Sequence, residues 1–86
     1  MYKIIFSKKT LKSIKKIPTP YQIQIKKISE RLSLDPFKLD IQKLSAYYTA
    51  THRLRIGDYR LFLKIDFEAK IIEIHEIERR TTQTYR

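Results

Sequence analysis

Eighty-six residues, 42% apolar and 12% aromatic, with one Gly and three Pro, have the composition of one small folded domain and not of a low-complexity chain. The absence of Cys excludes disulfide scaffolds, thiolate zinc sites and thiol nucleophiles. Nineteen Lys and Arg against nine Asp and Glu leave a net charge of +10, a field that draws polyanions.

Residues 2–6, Tyr-Lys-Ile-Ile-Phe, are strand formers and read as a strand. They lack the long apolar stretch of a secretory leader, and no apolar run in the chain approaches the ~20 residues that span a bilayer. The expected setting is therefore cytoplasmic, with no membrane partner. Ser7 is placed to cap a helix starting at Lys8. Leu11 and Ile14 give that helix an apolar stripe, and Ile17 closes it ahead of Pro18, whose ring disfavours helical geometry in the residue before it.

Thr19-Pro20 is a second start signal, a capping hydroxyl followed by proline at the first helical position. Tyr21, Ile25, Ile28 and Leu32 follow at helical spacing, with Ile23 beside them, and Asp35-Pro36 ends the helix near Leu34. The Pro-Thr-Pro turn suggests an antiparallel helical hairpin. Residues 36–50 read as a loop with local turns, from which Phe37, Leu39, Ile41 and Leu44 reach the core.

From Thr51 the period changes to two. Leu54 and Ile56 alternate with Arg53 and Arg55. Gly57-Asp58 supplies the chain's only glycine at a tight hairpin turn. Tyr59, Leu61, Leu63 and Ile65 then alternate with Arg60, Phe62, Lys64 and Asp66. After a turn near 67–69, residues 70–77 give a last strand, with Ile72 and Ile74 opposite Ile71, Glu73, His75 and Ile77. The end, 78–86, is polar and basic. The order β-α-α-β-β-β is an α+β layout. The N-terminal strand and helical hairpin are expected on one face of a mainly antiparallel sheet, in a single domain spanning 1–86.

Lysines crowd the first half, whereas six of the seven Arg follow position 50. Strand alternation sends Arg53, Arg55 and Arg60 to the face away from the helices. Such a cluster is a candidate phosphate site, because arginine makes forked contacts with phosphate; the alternative is an ordinary solvated sheet face. His75 and Lys64 share that side of the pattern. Arg79, Arg80 and Arg86 with Tyr85 add arginines and a stackable ring, a combination used to hold single-stranded RNA; the alternative is a frayed basic tail. His52 and His75 are far apart and no ligand motif surrounds either, so no metal or cofactor is expected.

The element order, the stretch Arg53-Leu54-Arg55-Ile56-Gly57-Asp58-Tyr59-Arg60, the ending Ile77-Glu78-Arg79-Arg80-Thr81-Thr82-Gln83-Thr84-Tyr85 and the opening Phe6-Ser7-Lys8-Lys9-Thr10-Leu11-Lys12-Ser13-Ile14-Lys15-Lys16-Ile17 resemble the RelE/ParE superfamily of toxin–antitoxin toxins. The resemblance covers almost the whole chain. Its RelE-like branch implies a ribosome-dependent mRNA endoribonuclease in which the RNA 2′-hydroxyl attacks the neighbouring phosphate without metal. Its ParE-like branch implies a DNA gyrase inhibitor without nuclease activity, and an inactive basic RNA-binding relative is a third outcome.

On the RelE-like reading, Arg53 and Arg55 match the family's basic pair, Arg60 the phosphate-holding Arg after the turn, Arg80 or Arg79 the basic residue after the last strand, and Tyr85 the terminal Tyr. His75, Lys64, Arg79 and Arg86 would bind RNA. The implied partners are a cognate RelB-like antitoxin, acidic and partly disordered, mRNA in the ribosomal A site, and operator DNA only through the antitoxin. Some RelE members carry Lys at the basic pair; Arg stays protonated, so Arg53 and Arg55 are poor general bases. That leaves the base to His75, Glu73, Glu76 or the ribosome.

Overall fold

The computed structural model describes residues 1–45 and 49–79. In chain order the elements are β1 (Lys3–Phe6), α1 (Lys8–Ile14), α2 (Thr19–Leu34), a 3₁₀ turn (Pro36–Lys38), β2 (Gln42–Lys43), β3 (His52–Ile56), β4 (Tyr59–Asp66) and β5 (Ile71–Arg79). The strands form one sheet in the order β1-β5-β4-β3-β2. Only β1, which joins β5, is parallel to its neighbour. The α+β layout read from the sequence is the one observed.

Ser7 caps α1, its hydroxyl oxygen accepting from the Thr10 N–H at 3.1 Å. Burial along α1 departs from the expected stripe: Thr10 is the buried residue and Leu11 is half exposed. Thr10 is drawn inward because its hydroxyl donates to the Ile74 carbonyl at 2.8 Å, and Ser7 donates to the His75 carbonyl at 2.7 Å. The regular helix stops at Ile14, short of Ile17. Pro18 has no N–H to offer the Ile14 carbonyl, and the amide of Gln22 donates instead to the carbonyls of Ile14 (2.9 Å) and Ile17 (2.8 Å).

Helix α2 buries Ile25, Ser29 and Leu32, with Tyr21 and Ile28 packed beside them, while Ile23 stays exposed. Thr19 is already helical, so the N-cap is Pro18 and no side chain caps this helix. The far end of α2 is tied to β1: the Tyr2 N–H donates to the Ser33 carbonyl and the Ser33 hydroxyl to the Tyr2 carbonyl, both at 2.8 Å. The core joins Ile17, Ile25 and Leu32 to Leu54, Ile56, Tyr59, Leu61, Leu63, Ile65, Ile72, Ile74 and Ile77 on one face of the sheet.

Two segments differ from the sequence reading. Residues 36–50, expected as a loop, contain the 3₁₀ turn and strand β2, which pairs Gln42 with Arg53 and Lys43 with His52. Ile77, expected on the outer side of β5, is buried. Along β4 and β5, Phe62 pairs with Glu76 but Leu63 pairs with Ile74, so His75 is an extra residue, a β-bulge. Everything beyond the bulge changes face. Ile77 turns into the core, and Glu76 and Glu78 turn out.

Candidate nucleic-acid interface

The β3–β4 hairpin sets the geometry of the basic face. A two-residue loop, Gly57-Asp58, joins the strands, and Gly57 takes φ +55°, the left-handed region a glycine enters most readily. A Cβ at Gly57 would lie 2.7 Å from Cε1 of Tyr21. Tyr21 in turn meets Tyr59 edge-on with ring centroids 4.8 Å apart, so the hairpin tip sits directly on α2. This register places Arg55 opposite Arg60. Side chains directly opposite on antiparallel strands share a face, with Cβ atoms about 4.5–5.5 Å apart. Arg53 lies two residues back along β3 on the same face, opposite Phe62.

Among the described residues no ion pair engages Arg53, Arg55 or Arg60. The Nε of Arg60 is buried and has no hydrogen-bond partner among the described residues. Glu78 faces Arg60 in register without pairing to it. The other β5 acids are engaged elsewhere: Glu76 lies 3.6 Å from Lys9 Nζ, and Glu73 lies 3.2 Å from His75 Nδ1.

The sequence candidates are therefore distributed unevenly. Arg53, Arg55 and Arg60 stand together. Lys64 is on the same face opposite Glu73, but four residues along β4 from Arg60, about 13 Å at the usual rise. His75 occupies the bulge. Arg79 pairs with Tyr59 and so lies on the helix side of the sheet, exposed at the end of β5. Arg80, Tyr85 and Arg86 lie outside the described residues.

A cleft of about 160 Å³ opens beside the arginines, lined by Asp40, Gln42, Arg53 and Arg55. Asp40 and Gln42 were not candidates from the sequence. The signal for them is a short alternation in which Leu39 and Ile41 pack on the core while Asp40 and Gln42 stay exposed. The Arg53 guanidinium donates to Gln42 Oε1 at 2.5 Å, holding the amide in place. At the other end of the sheet His52 sits edge-on to Phe67 at 5.7 Å. Burial, and next the positive charge of Lys43, lower its pKa below the ordinary histidine value. Among the described residues no cluster of acids and imidazoles is placed to hold a metal, and no helix is long and apolar enough to cross a membrane.

Fold and face together define a small basic α+β domain that gathers guanidinium groups, unpaired among the described residues, on the sheet face away from the helices. Known proteins share this fold. Over 68 residues the chain is 34% identical to Toxin RelE3 of Methanocaldococcus jannaschii, covering 74% of this chain and 76% of that protein. The RelE–RelB complex of Pyrococcus horikoshii contains a chain that superposes with a TM-score of 0.81 at 24% identity, covering 94% of this chain and 97% of that one. The RelB–RelE complex of Methanococcus jannaschii gives a TM-score of 0.73 at 26% identity, with 94% of both chains covered. No family model matches the chain. It belongs to the RelE toxin family.

Proposed function

We propose that this toxin is an endoribonuclease that cleaves mRNA in the ribosomal A site and is held inactive by a RelB-like antitoxin. The observation that carries the reading is the Arg55–Arg60 pair, two like charges set face to face with neither in an ion pair among the described residues. Such a pair is stable when an anion lies between its members, and a bridging RNA phosphate is that anion. The 2′-oxygen forms a bond to the adjacent phosphorus and loses its proton. The bond to the 5′-oxygen breaks, leaving a 2′,3′-cyclic phosphate and a 5′-hydroxyl. Arg53, Arg55 and Arg60 stabilise charge that grows on the phosphorus oxygens in the transition state. Since Arg stays protonated, the proton acceptor is one of the β5 groups Glu73, His75 and Glu76, or a group of the ribosome. Arg79 or Arg80 and Tyr85 complete the set on the family pattern.

The antitoxin follows from the same face. Two similar solved structures are toxin–antitoxin complexes. A net charge of +10 suits an acidic, partly disordered partner that covers the arginines, and operator DNA would be reached only through it.

The test is primer-extension mapping of mRNA ends after induction, wild type against Arg60→Ala. Wild type should arrest growth and produce A-site breaks. Arg60→Ala should reduce cleavage about 10²–10³-fold, the loss typical of removing one donor to transition-state charge. Intact mRNA in arrested cells would eliminate the nuclease, and blocked supercoiling by purified gyrase would replace it with the ParE-like reading.

A further inference from the structure

The cleft beside the arginines has a chemistry of its own. A carboxylate is out of place in a site for a polyanion, yet Asp40 lines this cleft with Arg53 and Arg55. Asp40 makes no ion pair or hydrogen bond among the described residues, so its oxygens are open acceptors. Gln42 is the reverse case. Its Oε1 is taken by Arg53 at 2.5 Å, which fixes the amide and leaves its N–H₂ as the free, donating end. The cleft thus sets an open acceptor pair beside a held donor.

Single-stranded RNA is read on the Watson–Crick edges of its unstacked bases. Guanine alone among the four bases carries two adjacent donors on that edge, N1–H and N2–H₂, next to an acceptor, O6. A carboxylate accepts the two donors in a forked pair, and an amide N–H₂ donates to O6. Adenine and cytosine each give a carboxylate one exocyclic amine, and uracil gives it one ring N–H.

Resting on the nuclease reading above, we propose that Asp40 and Gln42 form a guanine-recognition subsite next to the scissile phosphate. Arg55 belongs to both places, since it lines the cleft and faces Arg60 across the hairpin. A base in the cleft therefore belongs to a nucleotide whose phosphate lies at the Arg55–Arg60 pair. Asp40 contributes selectivity at a cost in general affinity, because its charge repels the RNA backbone.

The experiment uses the full chain and fluorescent hexaribonucleotides of adenosine carrying G, A, C, U or inosine at one central position. The G oligomer should bind at least tenfold tighter than the A oligomer, a ratio within the range for one good bidentate base contact. Inosine, which lacks the N2 amine, should fall between them. Asp40→Asn removes a negative charge and so tightens every oligomer, but it should bring the G-to-A ratio close to one. Gln42→Ala should reduce the same ratio. Equal binding of all oligomers, a G preference that survives Asp40→Asn, or no binding to any oligomer overturns the subsite. A G preference alongside intact mRNA in the induction assay would keep the subsite and remove the nuclease.

Discussion

Replacing Arg60 with Met should make the free protein more stable while abolishing its activity. Met keeps most of the apolar stem of the side chain and drops the guanidinium. Two unfavourable features of the folded state go with it. One is the buried Nε–H, which has no partner. An unsatisfied buried donor costs about 1–3 kcal/mol, and the low end applies because the Arg60 side chain is only half-buried. The other is repulsion from Arg55 directly across the hairpin. Like charges opposite each other in a sheet cost roughly 0.2–1 kcal/mol. Lost stem packing and lost attraction to Glu78, opposite on β5, offset part of the gain. A net stabilisation of about 1 kcal/mol should raise Tm by about 4–8 °C in a domain of this size. Thermal unfolding followed by circular dichroism at low ionic strength measures it. The repulsive part should shrink in 1 M salt, where the screening length is about 3 Å, and the Nε part should persist. Inorganic phosphate should raise the Tm of wild type more than that of Arg60→Met, because an anion that binds the folded state stabilises it. A lower Tm for Arg60→Met at every salt concentration would show that Arg60 stabilises the fold, and the phosphate-site argument would lose its energetic basis.

Gly57→Ala should destabilise the protein by about 1–2 kcal/mol from its left-handed backbone alone, with the 2.7 Å approach to Tyr21 adding to that; an unchanged Tm would refute the turn assignment. Lys70 also has a positive φ, 57°, in the turn before β5. Lys70→Gly relieves that strain but loses more chain entropy on folding, so a net gain of about 0.5 kcal/mol, or 2–4 °C in Tm, is expected by calorimetry. His52 titrates below its unfolded value because it is partly buried and faces Lys43. Its contribution to stability is fully present above about pH 6.5, the unfolded value, and is lost as pH falls through the lower folded value. Tm should therefore drop between pH 7 and pH 5, and His52→Gln should flatten the drop; an identical slope in the variant would remove His52 as its source.

Much of the candidate site's geometry was legible because hairpin geometry is local. A two-residue loop makes the pairs on either side symmetrical about Gly57-Asp58. The positions of Arg55 and Arg60 in the chain then dictate that they face each other, whatever the rest of the fold does. Alternation does the same for Leu54, Ile56, Leu61, Leu63 and Ile65. Strand β2 was harder to see. Two residues carry too little pattern to register as a strand, and β2 exists because β3 offers it an edge. With it went Asp40 and Gln42, which look like ordinary loop residues until β3 brings Arg53 beside them.

The bulge at His75 is the feature that local pattern had no means of revealing, and it decides what stands across from the arginines. Strict alternation from Ile72 and Ile74 would put Ile77 and Arg79 on the open face. The observed chain inserts one residue because α1 holds two successive carbonyls of β5: Thr10 binds that of Ile74 and Ser7 that of His75. Those contacts span more than 60 residues of sequence, so they belong to tertiary structure. Their effect is to exchange an apolar and a basic residue for two acids. Glu78 then stands opposite Arg60, and Glu76 opposite Phe62 within reach of Lys9. The open face gains two sides of opposite sign, guanidinium groups on β3 and β4 and carboxylates on β5. A purely cationic face would bind RNA phosphates along its whole width. On the proposed nuclease reading, an acidic margin would confine them to the Arg53–Arg55–Arg60 side, next to the cleft that holds Asp40 and Gln42, and so would align the phosphate with the base to be read.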